Sequence, residues 1–280
     1  MSFRYHLTSL AAVLLALAVG IVVGTTSLSA EPPPAKAPVA AVPGDTTGED
    51  LAQRVQSRLL RDALPDQRVL LLLAPDVPAG SARTVTAALK SAGSTVAAQV
   101  QLLPTLLDTS GKQTVDGVVA GTAPATLSLP SSGTLERAGA LLAAALVTSD
   151  QGSDVTGISA QKVIGGFSGG SLIAVDGPPA GRATLVLLLS GPSRGPSLAT
   201  LASAFQARVG TVVAGTPASA RGRGVVAVLR AQSRGVSDVD GLGTSTGLLG
   251  AVLALDEQAS GRAGHYGTGP GATGIVPDLG

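Results

Sequence analysis

Two stretches, Arg68–Ala74 and Ala183–Ser190, read RVLLLLA and ATLVLLLS, nearly unbroken runs of Leu and Val. A strand with one wet face alternates apolar and polar residues. A strand that is apolar at almost every position needs cover on both faces, as in a parallel sheet flanked by helices. Both runs stop at sheet-breaking residues, Pro75 in one case and Gly191-Pro192 in the other.

The segments around these runs alternate in the same sense. Ser81–Ala92 has helical spacing, with Gly93 placed for a C-terminal cap, and Thr95–Leu102 reads as a second strand. Thr134–Thr148 is an amphipathic helix with Glu136 and Arg137 on its wet face. Pro196–Val209 is a helix opened by Pro196, and Leu242–Ser260 a final one. Thr211–Ala214 reads as a strand. Short β-branched or aliphatic runs at Val115–Ala120, Val163–Ile164, Leu172–Val175 and Gly224–Leu229 read as strands too, although most are flanked by Gly. The expected fold class is therefore α/β, a mostly parallel sheet flanked by helices over residues 51–260. A Gly-rich tail without periodicity follows over 261–280.

Upstream the chain is of another kind. Between His6 and Glu31 lie 24 residues without a charge. As a helix, Leu7 to Val23 spans roughly 26 Å, and extension through Thr26 reaches the ~30 Å of a bilayer core. Arg4 and Tyr5 stand on the short side, so residues 1–6 are expected as a cytoplasmic tip, 7–26 as a transmembrane anchor and the rest outside. A cleaved signal peptide shares the basic start and the apolar run. Against it, Leu28 stands two positions before Ala30, where a cut site wants a small residue. Gly20 and Gly24 form a GxxxG, which lets a second anchor helix approach closely and favours a homodimer. Residues 27–50, with Pro32, Pro33, Pro34, Pro38 and Pro43, form a semi-rigid linker. Leu51–Leu64 then reads as a helix.

Composition narrows the chemistry. With 19 basic and 18 acidic side chains and 2% aromatics, the chain has neither the charge nor the stacking surface for nucleic acid. It has no Cys, which excludes disulfides, thiol catalysis and thiolate metal sites. Gly166-Phe167-Ser168-Gly169-Gly170 satisfies G-x-S-x-G, with Asp238 or Asp240 and then His265 in the chain order of an α/β-hydrolase. A nucleophile elbow requires a strand before the Ser and a helix after it. Here a strand pattern follows instead, so the match reads as a Gly/Ser turn and no enzyme is expected. The loop Gly241–Gly247 lacks the Lys of a Walker loop and reads as a helix start capped by Thr244 or Ser245. No cofactor is expected. For copper, the soft or imidazole ligands are Met1, His6 and His265. Only His265, a weak candidate, lies beyond the anchor.

Ser9-Leu10-Ala11-Ala12-Val13 with Leu15-Ala16-Leu17-Ala18-Val19-Gly20 and Gly24 resembles the anchor of the MctB family, the mycobacterial copper transport proteins of actinobacteria. The tail Gly264-His265-Tyr266-Gly267-Thr268-Gly269-Pro270-Gly271-Ala272 resembles that family's GxYGTGxGA signature. Arg61-Asp62-Ala63-Leu64 and Val236-Ser237-Asp238-Val239-Asp240 are similar as well. The resemblance implies a cell-envelope protein of copper homeostasis, acting in export and placed by some accounts in the outer membrane. Family members usually carry a coiled coil after the anchor, and here the Pro-rich linker takes its place. From the residues themselves, the expectation is the cytoplasmic membrane, with an envelope protein as partner. An outer-membrane barrel needs alternating strands and aromatic girdles, and five aromatics cannot build them.

Overall fold

The computed structural model describes residues 58, 60–131, 133–148, 155–232 and 235–278. The anchor, the glycines Gly20 and Gly24, the linker and most of the Leu51–Leu64 helix lie outside the described residues. Among the described residues no helix is long and apolar enough to cross a membrane.

The two aliphatic runs are neighbours at the centre of a seven-stranded sheet. β1 (Arg68–Leu73) pairs in parallel with β4 (Leu185–Ser190) from Val69↔Leu185 to Leu73↔Leu189, and on its other side with β2 (Thr95–Leu102). Outward from β2 runs β3 (Ile173–Asp176), the one antiparallel strand of the sheet. Outward from β4 lie β5 (Gly210–Gly215), β6 (Ser237–Val239) and β7 (His265–Tyr266), all parallel. The order is β3-β2-β1-β4-β5-β6-β7.

Both faces of the central strands are buried, which accounts for their composition. Val69, Leu71 and Leu73 point to the same side as Leu187, Leu189 and Val212. That side is covered by α1 (Ser81–Ser91) and by the last helix, here α8 (Ser245–Ala259). Leu70, Leu72, Val186, Leu188 and Val213 face the other layer. This layer holds the one-turn α2 (Pro104–Leu107), α3 (Lys112–Thr122), α4 (Thr134–Leu146), α5 (Gly157–Gly169), α6 (Gly195–Gln206) and α7 (Val225–Gln232). In α4 the small side chains permit close packing. A Cβ on Gly139 would stand 2.8 Å from the Cβ of Ala204 on α6.

Three expected strands are helices. Val115–Ala120 lies in α3, where Val115 and Val119, one turn apart, are the buried residues. Val163–Ile164 lies in α5, with Val163 and Phe167 inward. Gly224–Leu229 largely coincides with α7, which buries Val225, Val226 and Leu229. Short apolar runs do not separate the two periods by themselves, and in each case the burial follows i, i+4. Leu172–Val175 does supply a strand, β3, at the sheet edge. The tail, which shows no pattern in sequence, supplies β7.

Candidate functional site

β6 reads Ser-Asp-Val and continues into Asp240. Its alternation turns Val239 toward α8, and Asp238 and Asp240 to the opposite side, where α7 presents Arg230. All three charged side chains are buried, at 5%, 0% and 1% exposure for Arg230, Asp238 and Asp240. Arg230 Nε donates to Asp238 Oδ1 at 2.8 Å, and Nη1 to Asp240 Oδ2 at 2.9 Å. Two further guanidinium hydrogens reach the tail, from Nη2 to the Tyr266 carbonyl at 2.7 Å and from Nη1 to the Pro270 carbonyl at 2.9 Å. A fork with five fixed donors suits such a task, and a Lys ammonium does not.

The tail closes over this pair. Asp240 Oδ1 accepts the Thr268 N–H at 2.9 Å and Oδ2 the Gly269 N–H at 2.8 Å. The glycines of the motif follow from that approach. Gly267 has φ +123, and a Cβ there would stand 2.1 Å from Asp240 Oδ1. A Cβ on Gly269 would stand 2.7 Å from Oδ2. His265 places Nδ1 2.5 Å from Asp238 Oδ2 and is 24% exposed. Burial pushes the Asp238 carboxyl above its ordinary range, opposed by Arg230 and His265. The Tyr266 hydroxyl donates to the Glu257 carboxylate on α8, and burial and that carboxylate hold the phenol above its ordinary range. It stays protonated.

The structure thus gathers His265, Tyr266, Gly267, Thr268 and Gly269 around Asp238 and Asp240. Arg230, which joins them, was not legible in sequence, because its segment reads as a strand ending at Leu229. As a metal ligand His265 has its Nδ1 committed to Asp238. Among the described residues no three His, Cys, Asp or Glu side chains converge with metal-site geometry. Ser168 lies in the last turn of α5, exposed, and α5 leads into β3. β3 and the strands that carry Asp238 and His265 stand at opposite ends of the sheet order. The three residues of the hydrolase order are not brought together.

In parallel sheets ligands bind beyond the carboxyl ends of the strands, where the order reverses. Here that point lies between β1 and β4. Two of its loop amides are already taken, since the Asp76 carboxylate accepts N–H groups from Gly191 at 3.2 Å and Ser193 at 2.7 Å. Arg194, next in the loop, is paired with Asp108 at 2.8 and 3.1 Å. Beyond the same ends, a crevice of about 350 Å³ opens between the first turns of α1 and α8, lined by Pro78, Ser81, Thr84, Leu242 and Thr244 among others, none of them charged. Thr244 is the N-cap of α8 and accepts the Gly247 N–H at 2.9 Å.

The chain matches the family model described as "Copper transport outer membrane protein, MctB" in two stretches, residues 1–37 and 36–277, whose junction falls within the Pro-rich segment. Relatives named "Copper transporter MctB" from Mycobacterium bovis and Mycobacterium tuberculosis are each 29% identical over 309 residues, covering 98% of this chain and 98% of theirs. The protein of that name from Mycobacterium leprae is 27% identical over 341 residues, again at 98% of both chains. With a latched α/β domain ending in the expected tail motif, and a family match running from residue 1 to residue 277, this chain belongs to the MctB family of copper transport proteins.

Proposed function

We propose that this chain is a single-pass, membrane-anchored protein of the cell envelope that takes part in copper transport or homeostasis. The observation that carries the reading is the match along nearly the whole length to proteins named copper transporters. The uncharged run Leu7–Thr26 supports the anchor, with the N-terminus inside and the α/β domain outside. Deleting the gene should raise the copper content of cells grown in copper, and the intact chain should restore it. Unchanged copper content, measured by elemental analysis, would sink the reading.

A second reading concerns how copper is affected. Copper(I) prefers thiolate and thioether ligands, and the chain has no Cys and one Met, at position 1. The described sheet is open, edged by β3 and β7, with helices over both faces. The tail motif is spent on internal hydrogen bonds. These features favour a non-catalytic scaffold that acts on copper through an envelope partner and encloses no path for the ion. Vesicles holding the purified full-length chain alone should then show no copper flux above protein-free vesicles. Flux in the pure system would instead favour direct transport.

A further inference from the structure

The charges at the tail do not balance within the protein interior. Asp240 receives two backbone N–H groups and one guanidinium hydrogen, and so acts as an ionised acceptor on both oxygens. Asp238 accepts from Arg230 on one oxygen and faces His265 Nδ1 with the other. At 2.5 Å that contact needs a hydrogen between the two atoms. Two carboxylates therefore share one guanidinium, and all three are at least 95% buried. An unmatched charge in such a place is costly. Besides Arg230, the cation that acts on Asp238 among the described residues is His265, which is partly open to solvent and has no partner for Nε2 among them.

We propose that the Asp238–His265 pair is a proton-dependent latch on the segment His265–Pro270. With the imidazole charged, the cluster is neutral and the segment is held. With the imidazole neutral, one negative charge is left unmatched and the segment loosens. Arg230 faces the pair from α7, and Asp240 from the end of β6. Around the adjoining Tyr266 stand Glu257 and Arg262 of α8 and Asp278. The surplus is negative, so it is relieved by proton uptake. The raised carboxyl of Asp238 has the same sign, because the folded state binds a proton there more tightly than the unfolded chain. Stability from that source is present at low pH and lost as pH rises through the folded value.

Hydrogen exchange of the purified full-length chain, with a chelator present, tests this across the range where an imidazole changes charge, about pH 5 to 8. Protection of the Thr268 and Gly269 amides, relative to amides of β4, should fall about tenfold or more over that range. His265→Gln should hold the ratio near its alkaline value over that range, leaving only the rise at the acid end that the Asp238 carboxyl brings by itself. Asp238→Asn, which removes one negative charge, should hold it at the acid value. A flat ratio in the wild-type chain overturns the latch, as does a His265→Gln profile that follows the wild type. If Asp238→Asn does not fold, those two profiles still decide.

Discussion

Arg230 is the side chain on which the tail depends most. Exchanging it for Ala leaves Asp238 and Asp240 buried without their cation, and breaking such a pair costs about 3–5 kcal/mol. Urea denaturation should show that loss, and Arg230→Lys should not restore it, since one ammonium cannot serve both acids and two carbonyls. Two glycines give a contrast in opposite directions. Gly267→Ala meets a left-handed φ and the Asp240 carboxylate at once, so a loss of about 1–3 kcal/mol is expected. Gly117, in the exposed face of α3, has open space where a Cβ would go. There Ala should stabilise by about 0.5–1 kcal/mol through helix propensity. Thermal melts of the two variants, displaced to opposite sides of wild type, would establish that the tail glycines are there for close approach and not for flexibility.

At the level of elements, strands with full burial on both faces were legible, because RVLLLLA and LVLLLS leave no other period to choose. Long amphipathic helices were legible for the same reason. The segments Val115–Ala120 and Gly224–Leu229 were not, since β-branched residues in short runs favour strands locally, and only packing against neighbouring helices selects i, i+4. Of the tail cluster, the motif and the two Asp residues stood out, but the cation did not. Nothing in the chain ties Arg230 to Asp238, eight residues on, until β6 turns both acids toward α7. The start of α8 was legible in part, since Thr244 was one of the two expected caps although the helix begins at Ser245 and not at Leu242. Thr244→Ala should cost about 1 kcal/mol, seen as a lower urea midpoint at unchanged slope, because Gly247 N–H loses its acceptor. A changed slope would mean that more than the first turn has been lost.

At the scale of the whole molecule, the uncharged run behind Arg4 bears on processing. The mature chain should retain Met1 or Ser2, and a mature N-terminus at Glu31, found by N-terminal sequencing, would remove the anchor. If the chain is retained, replacing Gly20 and Gly24 with Ile should abolish crosslinking between copies in membranes. Persistence of the crosslink would move the contact to the α/β domain. The placement of β7 has a further consequence. It is made after every other strand of the sheet, yet it and the preceding Gly264 supply the carbonyls, of Tyr266 and Gly264, that receive the Asp240 and Asp238 amides. Until it arrives, β6 is a bare edge carrying two acids that lack most of their donors. During synthesis the sheet can grow outward in chain order through β4, β5 and β6, but it stays open at that edge until the tail emerges. Its last step waits for the tail, and a product broken off before residue 264 should be recognised by proteases as unfinished, however intact its aliphatic centre.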